Sequence, residues 1–191
     1  MKKIFILISL FLMFSTTYGQ FLGYYPCSHF DSESAVSYSP VLNGYLIQIS
    51  SGEKHELMYF LVDNNDIQKF RTALRETKKK YVEWTAVAKE NNIEDYSQNM
   101  DISFPKGTVC WSTNGDPHIC SDVTPKPLFM AKNGEYRLLL FAGKKVTASD
   151  NENINEKAYW IFVSVREFEK FLYLVSPEAL NKNRAKKAKN W

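Results

Sequence analysis

The longest regular hydrophobic pattern of this chain lies between residues 67 and 88. Apolar or neutral residues recur there at alternating steps of three and four, at Ile67, Phe70, Leu74, Thr77, Tyr81, Trp84 and Ala88. This spacing places all of them on one side of an α-helix, so the pattern predicts a long helix that packs on a β-sheet. A coiled-coil seam, the alternative, requires sustained apolar heptads with patterned flanking charges.

Short apolar runs bounded by turn residues predict β-strands on both sides of this helix. Asn43–Gly44 follows the run at 35–42, and Asn133–Gly134 follows the run at 126–132. An Asn-Gly pair between apolar runs indicates a hairpin, because both residues tolerate positive φ. Each pair therefore predicts two antiparallel strands joined by a tight turn.

Two segments, 59–70 and 160–171, resemble each other in that an apolar strand leads into the start of a helix. Asp63 and Ser164 take the predicted N-cap positions, and each is followed three residues later by an acidic residue. For Ser164 and Glu167 the pattern is a capping box, in which each side chain binds a free N–H group at the helix start.

The similarity extends upstream, where residues 43–54 and 134–145 both run from a glycine-containing turn into an apolar strand. The sequence therefore predicts an α+β fold of two antiparallel strand-rich units, each with three or four strands followed by a helix that packs on the sheet. The predicted halves are residues 33–93 and 99–180. A true internal repeat and a chance similarity of strand-to-helix sequences both remain open.

The first nineteen residues have the pattern of a secretory signal peptide. Lys2 and Lys3 precede an apolar run over residues 4–14, and small or polar residues continue to Gly19. Such a run is too short to span a bilayer, which takes about 20 apolar residues. We expect cleavage after Gly19 and localisation in the periplasm or outside the cell, with a retained anchor as the alternative and no later transmembrane segment.

The rest of the chain predicts a single domain over residues 20–180 and a basic tail over residues 181–191. Hydrophobic residues make up 45% of the chain and aromatic residues 15%, which is ample for a core. The net charge is +3, but the leader and the tail hold seven of the cations, so that residues 20–180 carry −4. Such a body is a poor platform for nucleic-acid phosphates. Ser176–Pro177 predicts a new helix start before the tail.

Residues 110–120, CWSTNGDPHIC, combine cysteine, histidine and aspartate with a turn. The residues at 114–117 favour the turn, and an exported protein meets oxidising conditions in which thiols pair. We therefore expect a disulfide between Cys110 and Cys120, which would stabilise the fold by roughly 2 to 3 kcal/mol in the chain-entropy treatment. Pairing of Cys27 with either of them is the alternative.

The same segment holds weak candidates for chemistry, namely His118, Asp116 and Trp111, and His29 lies nearer the N-terminus. A structural zinc site prefers cysteine pairs at short spacing, which this segment lacks. A cysteine nucleophile needs a base or a helix N-terminus beside its thiolate, whereas Cys110 is flanked by strand residues. We therefore predict no metal, no cofactor and no catalytic residue.

These observations favour a non-enzymatic binding module, for example an inhibitor-like or immunity-like protein. Its partner would be a protein or a cell-envelope component, met by an aromatic-bearing sheet face or by the hairpin loops. A hydrolase centred on Cys110 and His118 is one alternative. Another is a single-stranded nucleic-acid binder, because the order of the elements, though no sequence motif, resembles that of the PUR-alpha and whirly families. For the basic tail we expect a solvated helix end, with contact to an anionic membrane surface as the alternative.

Overall fold

The computed structural model describes residues 19–51 and 57–189. Within these ranges it contains ten strands, three α-helices and one 3-10 turn, Ser28–Phe30. The strands are β1 Gln20–Cys27, β2 Ser32–Ser39, β3 Gly44–Ser50, β4 Leu57–Asp63, β5 Asp95–Asn99, β6 Gly107–Thr113, β7 Asp116–Val123, β8 Leu128–Lys132, β9 Glu135–Thr147 and β10 Asn155–Phe162. The helices are α1 Ile67–Glu90, α2 Val165–Leu174 and α3 Pro177–Lys189.

The described strands join one antiparallel sheet in the order β5-β8-β9-β10-β3-β4-β6-β7, with β2 beside β3 and β1 beside β2. One edge of β3 is shared, since β2 pairs with its first half and β10 meets it only where Tyr159 lies opposite Ser50. The meander β2-β3-β4 leads into α1, and the meander β8-β9-β10 leads into α2. The predicted α+β class, with helices packed on an antiparallel sheet, is confirmed.

Helix α1 forms over the predicted apolar stripe, and every residue of that stripe except the half-buried Trp84 is buried. The helix begins later than predicted, because its N-cap is Asp66 and not Asp63. The Asp63 carboxylate instead accepts a hydrogen bond from the Asn65 N–H at 2.7 Å. This local side-chain bond holds a turn between β4 and the helix.

The predicted N-cap of α2 at Ser164 is confirmed, whereas the Glu167 carboxylate binds the N–H of Val163, one residue before the N-cap, and not that of Ser164. The Ser164 hydroxyl accepts a hydrogen bond from the Glu167 N–H at 3.2 Å, and the Glu167 carboxylate accepts one from the Val163 N–H at 2.9 Å. Helix α3 begins at the predicted break, where the Ser176 hydroxyl accepts a hydrogen bond from the Ala179 N–H at 3.2 Å. Both helix starts thus satisfy N–H groups that have no partner within the helix.

The core lies between the helices and one face of the sheet, called the helix-covered face below. Trp160 lies near its centre, with ring centroids of Phe60, Phe70 and Phe171 at 5.7, 6.3 and 5.1 Å from its own. Burial of each such ring stabilises the fold by roughly 1.5 to 3 kcal/mol, and stacked or edge-on aromatic contacts add about 0.5 to 1.5 kcal/mol per pair. The opposite side of the sheet is called the helix-free face.

No helix within the described residues combines the length and the apolar character that a membrane span requires. The predicted signal peptide lies outside these residues except for Gly19. The predicted basic tail begins inside α3, which continues as far as Lys189.

Candidate functional site

The CWSTNGDPHIC segment forms the β6–β7 hairpin. Asn114 and Gly115 make its two-residue turn, with φ values of 54° and 89°, as a type I′ turn requires. Pro117 lies in β7, an edge strand. In this register Ser112 and Pro117 are not a hydrogen-bonded pair, so the Pro117 nitrogen, which has no hydrogen to donate, points away from β6. The predicted turn is confirmed at Asn114 and Gly115, whereas Asp116 and Pro117 belong to β7.

The predicted disulfide between Cys110 and Cys120 is wrong. Cys110 lies opposite Ile119, and Cys120 lies opposite Val109, so the two cysteines are one register position apart. Side chains alternate between the two faces of a sheet, which sends Cys110 to the helix-free face and Cys120 to the helix-covered face. Both are free thiols, as is Cys27.

Neither buried thiol has the properties of a nucleophile. Burial raises the pKa of Cys110 to about 12. Burial also raises the pKa of Cys27, and a hydrogen bond with Ser34 offsets part of this increase. A thiolate is the reactive form of cysteine, and at neutral pH both groups hold their protons. His118 faces the helix-covered side, opposite to Cys110, so the two do not form a pair.

Trp111 and His118 are cross-strand partners in the core, with ring centroids 5.5 Å apart. Trp111 is fully buried and His118 is 8% exposed. Among the described residues, neither Trp111 Nε1 nor His118 Nδ1 has a hydrogen-bond partner. The pair faces the interior and offers no open site.

The remaining sequence candidates lie on different elements of the fold. Asp116 is exposed beside the hairpin turn. His29 is exposed in the 3-10 turn. Partial desolvation is the larger cause that lowers its pKa, and the positive charge of Arg137 is the smaller one. Within residues 19–51 and 57–189 no cluster of three or more His, Cys, Asp or Glu side chains could hold a metal ion. The structure therefore does not assemble these residues into one site.

A different surface presents aromatic side chains to solvent. Phe21 and Tyr24 of β1 are 46% and 51% exposed, and their ring centroids lie 4.7 Å apart. Tyr25, the next residue, is buried against Phe162 and Phe171 in the core. Tyr24 therefore points to the helix-free face, and Phe21 packs beside it. We call these two residues the β1 aromatic pair.

A β-bulge places the two rings together. Residues three apart in a regular strand lie on opposite faces, but the pairing of β1 with β2 shifts by one residue between Phe21 and Gly23. The bulge inserts Leu22 as an extra residue, so that Phe21 and Tyr24 fall on the same side. Strand alternation alone predicts the opposite, which is why the sequence predicted an aromatic-bearing sheet face but not this pair.

The strand beneath the pair is held by helices α2 and α3. Gly23, with φ of 149°, allows Leu174 to approach so closely that a Cβ atom would lie 2.7 Å from its Cδ2. The Asn183 side-chain amide donates a hydrogen bond to the Phe21 carbonyl oxygen, and the Arg184 guanidinium lies 5.8 Å from the Tyr38 ring centroid. Contacts with α2 and α3 thus hold the strand that carries the β1 aromatic pair.

An open groove lies between the first turns of α1 and the segment before β6. Lys69, Glu76 and Phe104 line it, and its volume is about 540 Å³. Lys69 is paired with Asp66 at 3.3 Å across the exposed surface, and such a pair stabilises little. The groove holds no arrangement of groups that indicates chemistry.

Comparisons with protein-family models, with curated proteins and with solved structures found nothing that matches this chain. The candidate surface is therefore defined by the geometry of this chain alone.

Proposed function

We propose that this protein is an exported, non-enzymatic binding module whose partner docks on the β1 aromatic pair. The partner is a protein or another component of the cell envelope, and the compartment is the periplasm or the cell exterior. The observation that carries the proposal is the contact of two half-exposed rings, 4.7 Å apart, on a strand fixed by two helices. Export rests on the signal peptide predicted for residues 1–19.

Exposed aromatic rings on a rigid strand are suited to recognition. Aromatic side chains supply large contact areas at a small cost in side-chain entropy, and they dominate the binding energy of many interfaces. Small residues surround this pair, since Phe21 lies opposite Ser37 and Tyr24 opposite Ala35. A flat partner surface, such as a sugar ring or an aliphatic side chain, has access to both rings.

Buried and separated reactive groups favour binding over hydrolysis. Cys110 is buried with a pKa of about 12 and faces away from His118. An inhibitor-like or immunity-like protein that masks an exported enzyme is one version of the proposal. Nucleic acid remains the less favoured partner, because residues 20–180 carry a net charge of −4 and phosphate binding depends on cations.

Sedimentation with native cell-envelope fragments tests the proposal. The full-length gene product is compared with a Phe21→Ala/Tyr24→Ala variant and with Tyr173→Ala. Tyr173 is the matched control, because it is 44% exposed but lies on α2. We expect the double variant to lose binding by about tenfold or more, as loss of two aromatic anchors costs at least ~2 kcal/mol, and Tyr173→Ala to bind like the wild type.

Protease treatment of the envelope fragments then identifies the class of partner. Loss of binding after treatment indicates a protein, and retained binding indicates a glycan or lipid component. A variant with Lys186→Gln, Lys187→Gln and Lys189→Gln, which retains Asn183 and Arg184 beside β1 and β2, separates contact by the basic tail from contact by the aromatic pair. Equal binding of the wild type and the Phe21→Ala/Tyr24→Ala variant would contradict the proposal.

A further inference from the structure

Among the described strands, three lie at an edge of the sheet, and two of these edges are partly covered. Along β7, the Ile119 carbonyl oxygen accepts a hydrogen bond from the Ser149 N–H at 2.7 Å, and Pro117 removes a donor from the same edge. Along β1, the Phe21 carbonyl oxygen accepts from the Asn183 side chain of α3. Covering an edge in these ways prevents it from pairing with another strand.

The third edge, β5, has no such cover in the part of the chain that the structure describes. β5 pairs only with β8 and ends the strand order, and all five of its residues are exposed. Its sequence, DYSQN, contains neither proline nor lysine, the residues that commonly protect an edge. Within the described residues, no hydrogen bond from a turn, a loop or a side chain reaches the main chain of Asp95, Ser97 or Asn99.

The direction of these main-chain groups follows from the two ends of the strand. The Met100 N–H donates to the Pro127 carbonyl oxygen at 2.8 Å, and the Glu94 carbonyl oxygen accepts from the Asn133 N–H at 2.9 Å. Both groups point to the β8 side. Because successive residues of a strand point their N–H and C=O groups in opposite directions, Tyr96 and Gln98 also face β8. Residues 95, 97 and 99 therefore direct theirs to the open edge.

We propose that β5 pairs with β5 of a second copy of this chain, antiparallel and about a two-fold axis at Ser97. In this register Ser97 lies opposite the second copy's Ser97, and Asp95 lies opposite the second copy's Asn99. The outward groups of residues 95, 97 and 99 then form three hydrogen-bonded pairs, with about six main-chain hydrogen bonds. The sheet continues across both copies.

The side chains of β5 fit this register. Asp95 is the only charged residue of the strand, and the two-fold places it opposite an amide rather than opposite another carboxylate. Tyr96 falls opposite the second copy's Gln98, and within one chain the Tyr96 hydroxyl already donates to the Gln98 side chain. Self-complementary cross-strand pairs of this kind stabilise a two-fold interface.

Exposed apolar side chains continue the surface beside this edge. The Tyr96 ring lies 6.5 Å from the Phe129 ring, and the Trp84 ring of α1 lies 5.8 Å from the same ring. Val87 follows Trp84 by one helical turn, and Tyr96 and Val87 are 42% and 48% exposed. A second copy that extends the sheet brings its own α1 to the same face, where these residues lose contact with water.

Molar mass measured by light scattering and sedimentation equilibrium, on the full chain and its variants, tests the proposal. We expect a wild-type dimer. Ser97→Pro should weaken it by about tenfold or more, since proline removes an outward N–H but leaves the β8 ladder intact. Ser97→Lys and Ser97→Glu should each weaken it as well, because like charges then face each other across the axis.

An equimolar mixture of the lysine and glutamate variants should restore the dimer, because the two-fold places opposite charges together. Ser121→Lys is the matched control, since Ser121 is an exposed serine on the β7 edge, and it should dimerise like the wild type. A wild-type chain that stays monomeric up to ~0.1 mM overturns the proposal. The partner of the β5 edge would then be an extended segment of another protein. A dimer unaffected by the Ser97 substitutions, or a mixture that does not recover it, overturns it equally.

Discussion

Arg71 donates a hydrogen bond from Nη2 to the hydroxyl oxygen of Tyr45 at 2.7 Å. Its Nε–H donates to the Val175 carbonyl oxygen at 2.5 Å, so the guanidinium joins α1, β3 and the end of α2. Arg71 is 6% exposed, and no carboxylate forms an ion pair with it in the described part of the chain. The carbonyl groups at a helix C-terminus carry partial negative charge, and they stabilise the buried cation together with the phenol oxygen.

This contact predicts strong coupling between the two side chains. Tyr45→Phe removes one partner of a buried cation and should lower the free energy of unfolding by about 2 kcal/mol. In a double-mutant cycle with Arg71→Met, the coupling energy should be about 1.5 to 3 kcal/mol. Urea denaturation of the four chains measures it.

Tyr38→Phe is the matched control for this cycle. The Tyr38 ring packs against the Tyr45 ring at 5.2 Å, but Arg71 donates to Tyr45 and to Val175, not to Tyr38. Its substitution should be additive with Arg71→Met to within about 0.5 kcal/mol. Equal coupling of both tyrosines to Arg71 would contradict the assigned contact.

Local sequence signals predicted the elements of the fold but not the register between them. The apolar stripe from Ile67 to Ala88 and the N-cap at Ser164 depend on neighbouring residues, so the sequence contains the whole signal. The disulfide prediction failed because the strand register, which the length of the turn sets, decides whether Cys110 and Cys120 lie on the same face. A two-residue turn at Asn114–Gly115 places residue 113 opposite 116 and therefore Cys110 opposite Ile119, which moves Cys120 to the other face.

The β1 aromatic pair and the Arg71 contact were missed for a different reason. A bulge changes which residues share a face, and the only local sign of one is Gly23 within an apolar strand. Arg71 lies 104 residues from Val175, and a long-range hydrogen bond leaves no periodic trace in the sequence. Such features depend on tertiary packing rather than on local pattern.

The three thiols should differ in reactivity with a thiol reagent such as Ellman's reagent. Cys27 and Cys110 are 4% and 3% exposed, whereas Cys120 is half-buried. The native protein should therefore react rapidly at one thiol, and Cys120→Ser should abolish this fast phase. The denatured protein should react at all three. A single reactive thiol after denaturation would show that two cysteines are paired and would contradict the free-thiol geometry.

Alkaline pH should destabilise the fold through groups that hold their protons when buried. Burial raises the pKa of Cys110 from 9.0 to about 12, and burial also raises the pKa of Tyr25, Tyr45 and Tyr59. Between pH 9 and 12 the unfolded chain loses the Cys110 proton while the native chain keeps it. The native state then binds more protons, so its stability falls as the pH rises.

The Cys110 contribution can be isolated by substitution. From this group alone, the free energy of unfolding should fall by about 1 kcal/mol per pH unit above pH 9. Urea denaturation of the wild type and of Cys110→Ala at pH 8, 9 and 10 measures the slope, and the variant should show a shallower decline. Identical slopes for the two chains would show that Cys110 is not the titrating group.

Gly107, at the start of β6, is a position where any side chain should destabilise the protein. A Cβ atom there would lie 2.4 Å from Cζ of the buried Phe60 ring and 2.7 Å from the Leu61 carbonyl oxygen. Neither neighbour can move freely, since Phe60 is fully buried in the core and the oxygen belongs to the backbone of β4. Gly107→Ala should therefore lower the free energy of unfolding by about 2 to 3 kcal/mol, the range of core overpacking. Ser121→Ala, a substitution at an exposed position of β7, should change it by less than about 0.5 kcal/mol. Urea denaturation compares the two variants, and equal stabilities would show that Phe60 does not pack on Gly107.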